Sequence, residues 1–205
     1  MNGEKLSMSA GRLEALGDGI FSVVMTVLVI ELKIPHVAGN SFHNFLSGLY
    51  EIRQELFCFF ISFIVLGIIW FGHRMVFEYI SQTNRYFIFL GVLFYMIVCL
   101  VPFSTKFLAA NTLQWFAIVT YGLNLSLCNM SLYAQWTYGI NRPTLHARTI
   151  PTEIKKEARF LFLISPILYA IAIPFSFFFP WVSIFIYFIT PILYLIPSKL
   201  DKYLP

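Results

Sequence analysis

Six apolar stretches joined by short polar links leave this chain few ways to fold. A spanning helix needs roughly 20 mostly apolar residues. Stretches that qualify run near 16–34, 54–76, 85–107, 113–138, 159–179 and 181–198. In lipid the backbone must satisfy its own hydrogen bonds, which a helix does within one segment. The expected fold class is therefore all-α, a polytopic membrane protein with six transmembrane helices. Composition points the same way. Charged residues make up 12% of the chain, against about 25% in a soluble domain, too few to build a water-facing surface. The net charge of +4 sits in short clusters between apolar stretches. This suits anionic lipid headgroups better than a nucleic-acid surface, and no nucleic-acid partner is expected.

Orientation follows from the basic residues. With a cytoplasmic N-terminus, Lys5, Arg12, Arg74, Arg85, Arg142, Arg148, Lys155, Lys156, Arg159, Lys199 and Lys202 lie inside, and only Lys33, Arg53 and Lys106 lie outside. Eleven against three is a strong positive-inside bias. The bias requires an even number of spans, which favours six over five with a re-entrant last pair divided by Pro180. Trp115 and Trp136 bracket the fourth span and are expected to sit one at each interface. Both termini are expected in the cytoplasm.

Residues 1–205 read as one six-helix domain, without low-complexity tracts or internal repeats. The polar stretch 139–158 is expected to be a cytoplasmic loop, partly helical from Thr152, where Thr-Glu-Ile-Lys-Lys-Glu begins like a capped helix. Cys58, Cys99 and Cys128 lie in apolar stretches without CxxC spacing, as packing residues do. The first stretch contains Asp18 and is too long for the apolar core of a cleavable signal peptide.

Polar groups at membrane depth are the first functional candidates, because each is costly unless satisfied. The first span is acidic at both ends, Asp18 and Glu31, with twelve uncharged residues between them. Val23, Thr26 or Val27, and Ile30 share one helical face, which Gly19 extends. Such a stripe either packs on a neighbouring helix or lines a narrow pore when several copies surround an axis. Trp70 and His73, one turn apart, end the second span on the side that holds Arg12 and Asp18. These four residues are expected either to join in one buried polar cluster or to remain separate interfacial groups. Asn124, Ser126, Asn129 and Ser131 suit interhelical hydrogen bonds, and His36, His43 and His146 suit solvated loops. The chain has no HExxH, GxSxG, P-loop or paired intramembrane aspartates, and four scattered histidines suggest no metal site or cofactor. An enzyme is not expected.

The first span, Arg12-x-x-x-Leu16-Gly17-Asp18 through Thr26 to Glu31, resembles the opening helix of prokaryotic relatives of transmembrane protein 175. The signature of that family is Arg-x-x-x-Phe-Ser-Asp, and here Leu16 and Gly17 replace the Phe-Ser pair. The run ending Trp70-Phe-Gly-His73 resembles the second helix, with Arg74 where a second histidine often stands. Leu100-Val-Pro102-Phe103-Ser-Thr105 resembles the end of the third, so the likeness spans about 10–106. The resemblance implies a homotetrameric potassium channel of six helices per subunit, with the first helix lining the pore. It implies a constriction of apolar rings at Val23, Thr26 or Val27, and Ile30, with potassium passing near Thr26. It also implies an anchoring cluster of Arg12, Asp18, Trp70 and His73. Potassium ions and membrane lipid are the implied partners, and the plasma membrane of a prokaryote the implied location. Two other readings differ in their signature. A proton-coupled transporter working through Asp18 or His73 shows saturable, pH-coupled flux; a scaffold binding partners through Arg148–Lys156 shows none.

Overall fold

A computed structural model of the chain describes residues 8–35, 37, 39, 41–146 and 150–194. Lys5, His36, Arg148, Lys199 and Lys202, used in the sequence reading, lie outside the described residues. The helices are α1 (Ala10–Ile30), α2 (Phe42–Glu51), α3 (Arg53–Tyr79), α4 (Arg85–Val98), α5 (Val101–Ala110), α6 (Trp115–Ile140), α7 (Thr152–Phe175) and α8 (Pro180–Leu193). Two-residue strands β1 (Met8–Ser9) and β2 (Gln82–Thr83) pair antiparallel.

Among the described residues, four helical stretches are long and apolar enough to cross a membrane: 10–30, 53–79, 85–110 and 152–175. The protein is an integral membrane protein. The third of these runs through α4 and α5, which are offset at Cys99 and Leu100. Pro102 stands in the first turn of α5, where its missing N–H is no loss. Helix α6 has the length to span, at 26 residues, but it buries Asn124, Asn129 and Gln135, which lower its hydropathy. Helix α8 is apolar and has 14 residues, about 21 Å of helix against a hydrocarbon layer of about 30 Å. Helix α7 begins at Thr152, with Glu153 in its first turn, and runs through Pro166 without a break. Lys155, Lys156 and Arg159 therefore ride on the first turns of this helix, which starts at Thr152 as expected.

Helix α6 is the hub, packed on α4, α5, α7 and α8. Lipid tails are as apolar as leucine, so dispersion packing and hydrogen bonds hold such helices together. Hydrogen bonds made by polar side chains join four of them. The Thr105 hydroxyl donates toward Ser62 Oγ at 2.8 Å, Ser62 meets the Tyr121 hydroxyl at 3.0 Å, and Ser104 donates to Asn124 Oδ1 at 3.2 Å. Asn124 donates in turn to the Ile97 carbonyl, which gives it the interhelical role expected. Asn129 and Ser131 differ, since both bond carbonyls of their own helix, Leu125 and Cys128.

Trp136 corrects another expectation. It is fully buried, edge-on to Tyr79 and Phe162, while Trp115 is half exposed. The spacing of the two indoles matches a bilayer, but α7 covers the face on which Trp136 stands. Cys58 and Cys128 are buried and Cys99 is exposed. His146 is no solvated loop residue either, because its Nε2 donates to the Gly139 carbonyl at 2.9 Å. Nearby, Ser81 N–H donates to the Leu145 carbonyl and Ala10 N–H to the Ser81 carbonyl. These bonds tie one end of α1, α3 and α6 together.

Candidate functional site

Helix α1 has two faces. Ala10, Leu13, Gly17, Phe21, Val24 and Leu28, three or four residues apart, are buried against α3, α4 and α5. On the other side, Leu16, Gly19, Val23, Thr26 and Ile30 face away from the protein, with Val23 61% and Ile30 76% exposed. Thr26 lies on this stripe, whereas Val27 is partly covered at its flank. The Thr26 hydroxyl donates to the Val23 carbonyl at 2.7 Å. Its proton is thus spent on the helix, and the oxygen lone pairs remain for a group outside.

Two separate contacts hold the other end of α1. Trp70 Nε1 donates to Asp18 Oδ1 at 2.8 Å. His73, one turn further along α3, is fully buried, and its Nε2 meets the Tyr95 hydroxyl at 2.8 Å. That hydroxyl donates to the Leu13 carbonyl of α1 at 2.7 Å. A tyrosine has one proton to give, so His73 must be the donor to Tyr95, as the neutral Nε2–H tautomer. Its buried Nδ1 has no hydrogen-bond partner among the described residues. Phe77 and Phe94 flank the imidazole, with ring centroids at 4.8 and 5.7 Å, and Phe21 lies at 5.8 Å.

The four expected anchoring residues therefore do not form one buried cluster. Trp70 and His73 meet adjacent positions of α1, Asp18 and Gly17, which point about 100° apart around the helix. Asp18 is exposed and Gly17 is buried. Arg12 is exposed and, among the described residues, makes no side-chain hydrogen bond or ion pair. At the opposite end of α1, Glu31 pairs with Lys106, and Lys33 pairs with Glu55 at 2.7 Å. No group of three or more His, Cys, Asp or Glu among the described residues has the arrangement to hold a metal ion.

Known proteins resemble this chain in sequence and fold. The sequence profile described as the endosomal/lysosomal potassium channel TMEM175 matches residues 12–102. A potassium channel of Chryseobacterium sp. (strain P1-3) is 26% identical over 194 residues, covering 94% of this chain and 95% of its own. A potassium channel of Chamaesiphon minutus is 28% identical, covering 92% of this chain and 95% of its own. The crystal structure of a lysosomal potassium-selective channel TMEM175 homologue from Chamaesiphon minutus superimposes with a TM-score of 0.76 at 26% identity, over 93% of this chain and 98% of that one. This chain is similar to TMEM175 homologues over nine-tenths of its length. The TMEM175 family is one of ion channels, not enzymes.

Sequence analysis did not single out Tyr95 or the structural part played by Gly17. Two signals pointed to them. Gly17 stands where the signature has a hydroxyl, and Tyr95 carries a hydroxyl at membrane depth in an otherwise apolar helix.

Proposed function

We propose that this chain is a cation channel, potassium-selective or weakly selective. It works as a homotetramer with six helices per subunit, both termini cytoplasmic, in the plasma membrane of a prokaryote. Residues 1–205 act as one channel domain, in which α1 lines the pore. The observation that carries this reading is the stripe of Val23, Thr26 and Ile30, which the subunit leaves uncovered along a helix packed firmly on its other face. Rings of Val23 and Ile30 around an axis resist wetting and form the gate and constriction. Thr26 oxygens offer lone pairs to a partly dehydrated cation, with Val27 supporting the ring from its flank. Potassium gives up its water more readily than sodium, which favours it.

Asp18, Trp70 and His73 position the pore helix, and Arg12 stays available at its cytoplasmic end. A transporter that loads protons on His73 is disfavoured by its full burial and by the hydrogen bond that occupies its Nε2. The test is flux through the purified protein in liposomes under equal potassium and sodium gradients. Potassium uptake above sodium, changed by substitutions at Val23 or Ile30, supports the channel. No flux with an intact oligomer, in the presence or absence of a pH gradient, overturns it.

A further inference from the structure

The place where the chain departs from the family signature is also where α1 meets α4. Built onto Gly17, a Cβ atom lies 2.5 Å from His73 Cε1, 2.7 Å from His73 Nε2 and 2.7 Å from the Tyr95 hydroxyl oxygen. A side chain at position 17 and the present His73–Tyr95 pair exclude one another. The signature carries a serine hydroxyl there, whereas this chain carries none and brings one from α4. Gly91, one turn before Tyr95, makes room for both α6 and α1, since its Cβ would lie 2.8 Å from Gln135 Nε2 and 3.1 Å from Leu13.

We infer that Tyr95 is a positioning residue for the pore helix, supplying from α4 the hydroxyl that the signature places on α1. Its oxygen accepts from His73 on α3 while its proton goes to the Leu13 carbonyl on α1. A single group thus locks three helices, and it fixes the tautomer of His73. Ring packing alone does not account for this, because the hydroxyl makes both bonds. The inference rests on the channel reading for its functional consequence, but not for its geometry.

The test is a set of variants read by potassium flux in liposomes and by the 15N imidazole signals of His73, assigned with His73→Gln. Tyr95→Phe removes both bonds and keeps the ring. Losing a buried partner shifts such an equilibrium by about fivefold or more. Flux in Tyr95→Phe is expected to change by at least that factor, with the His73 signals departing from the Nε2–H pattern. Gly17→Ser alone is expected to disturb flux as strongly, because its Cβ displaces His73. In Gly17→Ser with Tyr95→Phe, the imidazole shifts into the space the tyrosine oxygen leaves, the serine takes over the hydroxyl, and flux returns to within about twofold of wild type. Gly17→Ala with Tyr95→Phe fills the same space without a hydroxyl and is expected not to recover.

Equal recovery with alanine and serine overturns the hydroxyl role in favour of packing, as does an unchanged His73 spectrum in Tyr95→Phe. If Gly17→Ser does not fold, Tyr95→Phe and the His73 spectrum still decide. The spectrum is recorded on solubilised protein without flux. Absence of flux in the wild type therefore counts against the channel reading alone, and the tautomer result counts for or against Tyr95.

Discussion

Trp70 Nε1 donates a hydrogen bond of 2.8 Å to Asp18 Oδ1, joining α3 to the exposed side of α1. The acceptor is a carboxylate, which strengthens the bond, while partial exposure weakens it through competition from water. Neither residue is buried, so the contact steers α1 more than it holds the bundle together. Trp70→Phe is expected to destabilise the protein by about 1 kcal/mol. Asp18→Ala should behave alike, whereas Asp18→Asn keeps an acceptor oxygen and should lose less. Thermal unfolding in detergent measures all three, and an additive Trp70→Phe/Asp18→Ala pair would show that the bond carries no coupling.

Ile30 is the most exposed large residue of the uncovered α1 stripe. Ile30→Asn puts an amide into each position of the proposed ring and lowers its barrier to wetting. Potassium flux should rise, or the preference over sodium should fall, by about tenfold for each 1.4 kcal/mol removed from the barrier. Unchanged flux and unchanged ion preference would remove Ile30 from the gate.

Glu31 follows Ile30 directly and is paired with Lys106. Its charge lies at the mouth of the proposed pore, where it attracts cations at a range set by ionic strength. Glu31→Gln should reduce potassium flux at low salt and have little effect near 1 M, where the screening length is about 3 Å. Lys106→Gln frees the carboxylate and should act in the opposite direction. The two salt series compared in the same liposomes decide the sign.

Gly122 on α6 faces Tyr187 of α8, whose hydroxyl donates to the Ile118 carbonyl at 3.1 Å. A Cβ there would press on the tyrosine ring carbon at 2.8 Å. Gly122→Ala should therefore destabilise by about 1–3 kcal/mol, the range for overpacking a filled interior. A melting temperature equal to wild type in the detergent-solubilised protein would contradict that close approach.

Trp136 is buried among helices, while Trp115 and Trp181 are exposed. Lipids brominated along their acyl chains should quench the fluorescence of Trp115 and Trp181 and leave that of Trp136 largely intact. Single-tryptophan variants in bilayers give the comparison. Quenching of Trp136 as strong as that of Trp115 would return it to the lipid interface.

The sequence by itself determined that the chain lives in a membrane, because runs of apolar residues as long as a bilayer is thick have no other stable home. It determined the stripe on α1 as well, since residues three and four apart must share a face once the segment is helical. These properties are local. Which polar group meets which was decided only by the tertiary structure. The spacing that puts Trp70 and His73 on one side of α3 is silent about α1, whose positions 17 and 18 turn their partners apart. It is equally silent about α4, from which Tyr95 arrives. Periodicity offered Thr26 and Val27 equally, and the packing of α1 left Thr26 uncovered and half covered Val27. Trp136 has the spacing of an interfacial indole and became a core residue because α7 crosses over it. A helix carries its own faces in its sequence, but the crossing and rotation that choose a partner arise from contacts with the other helices.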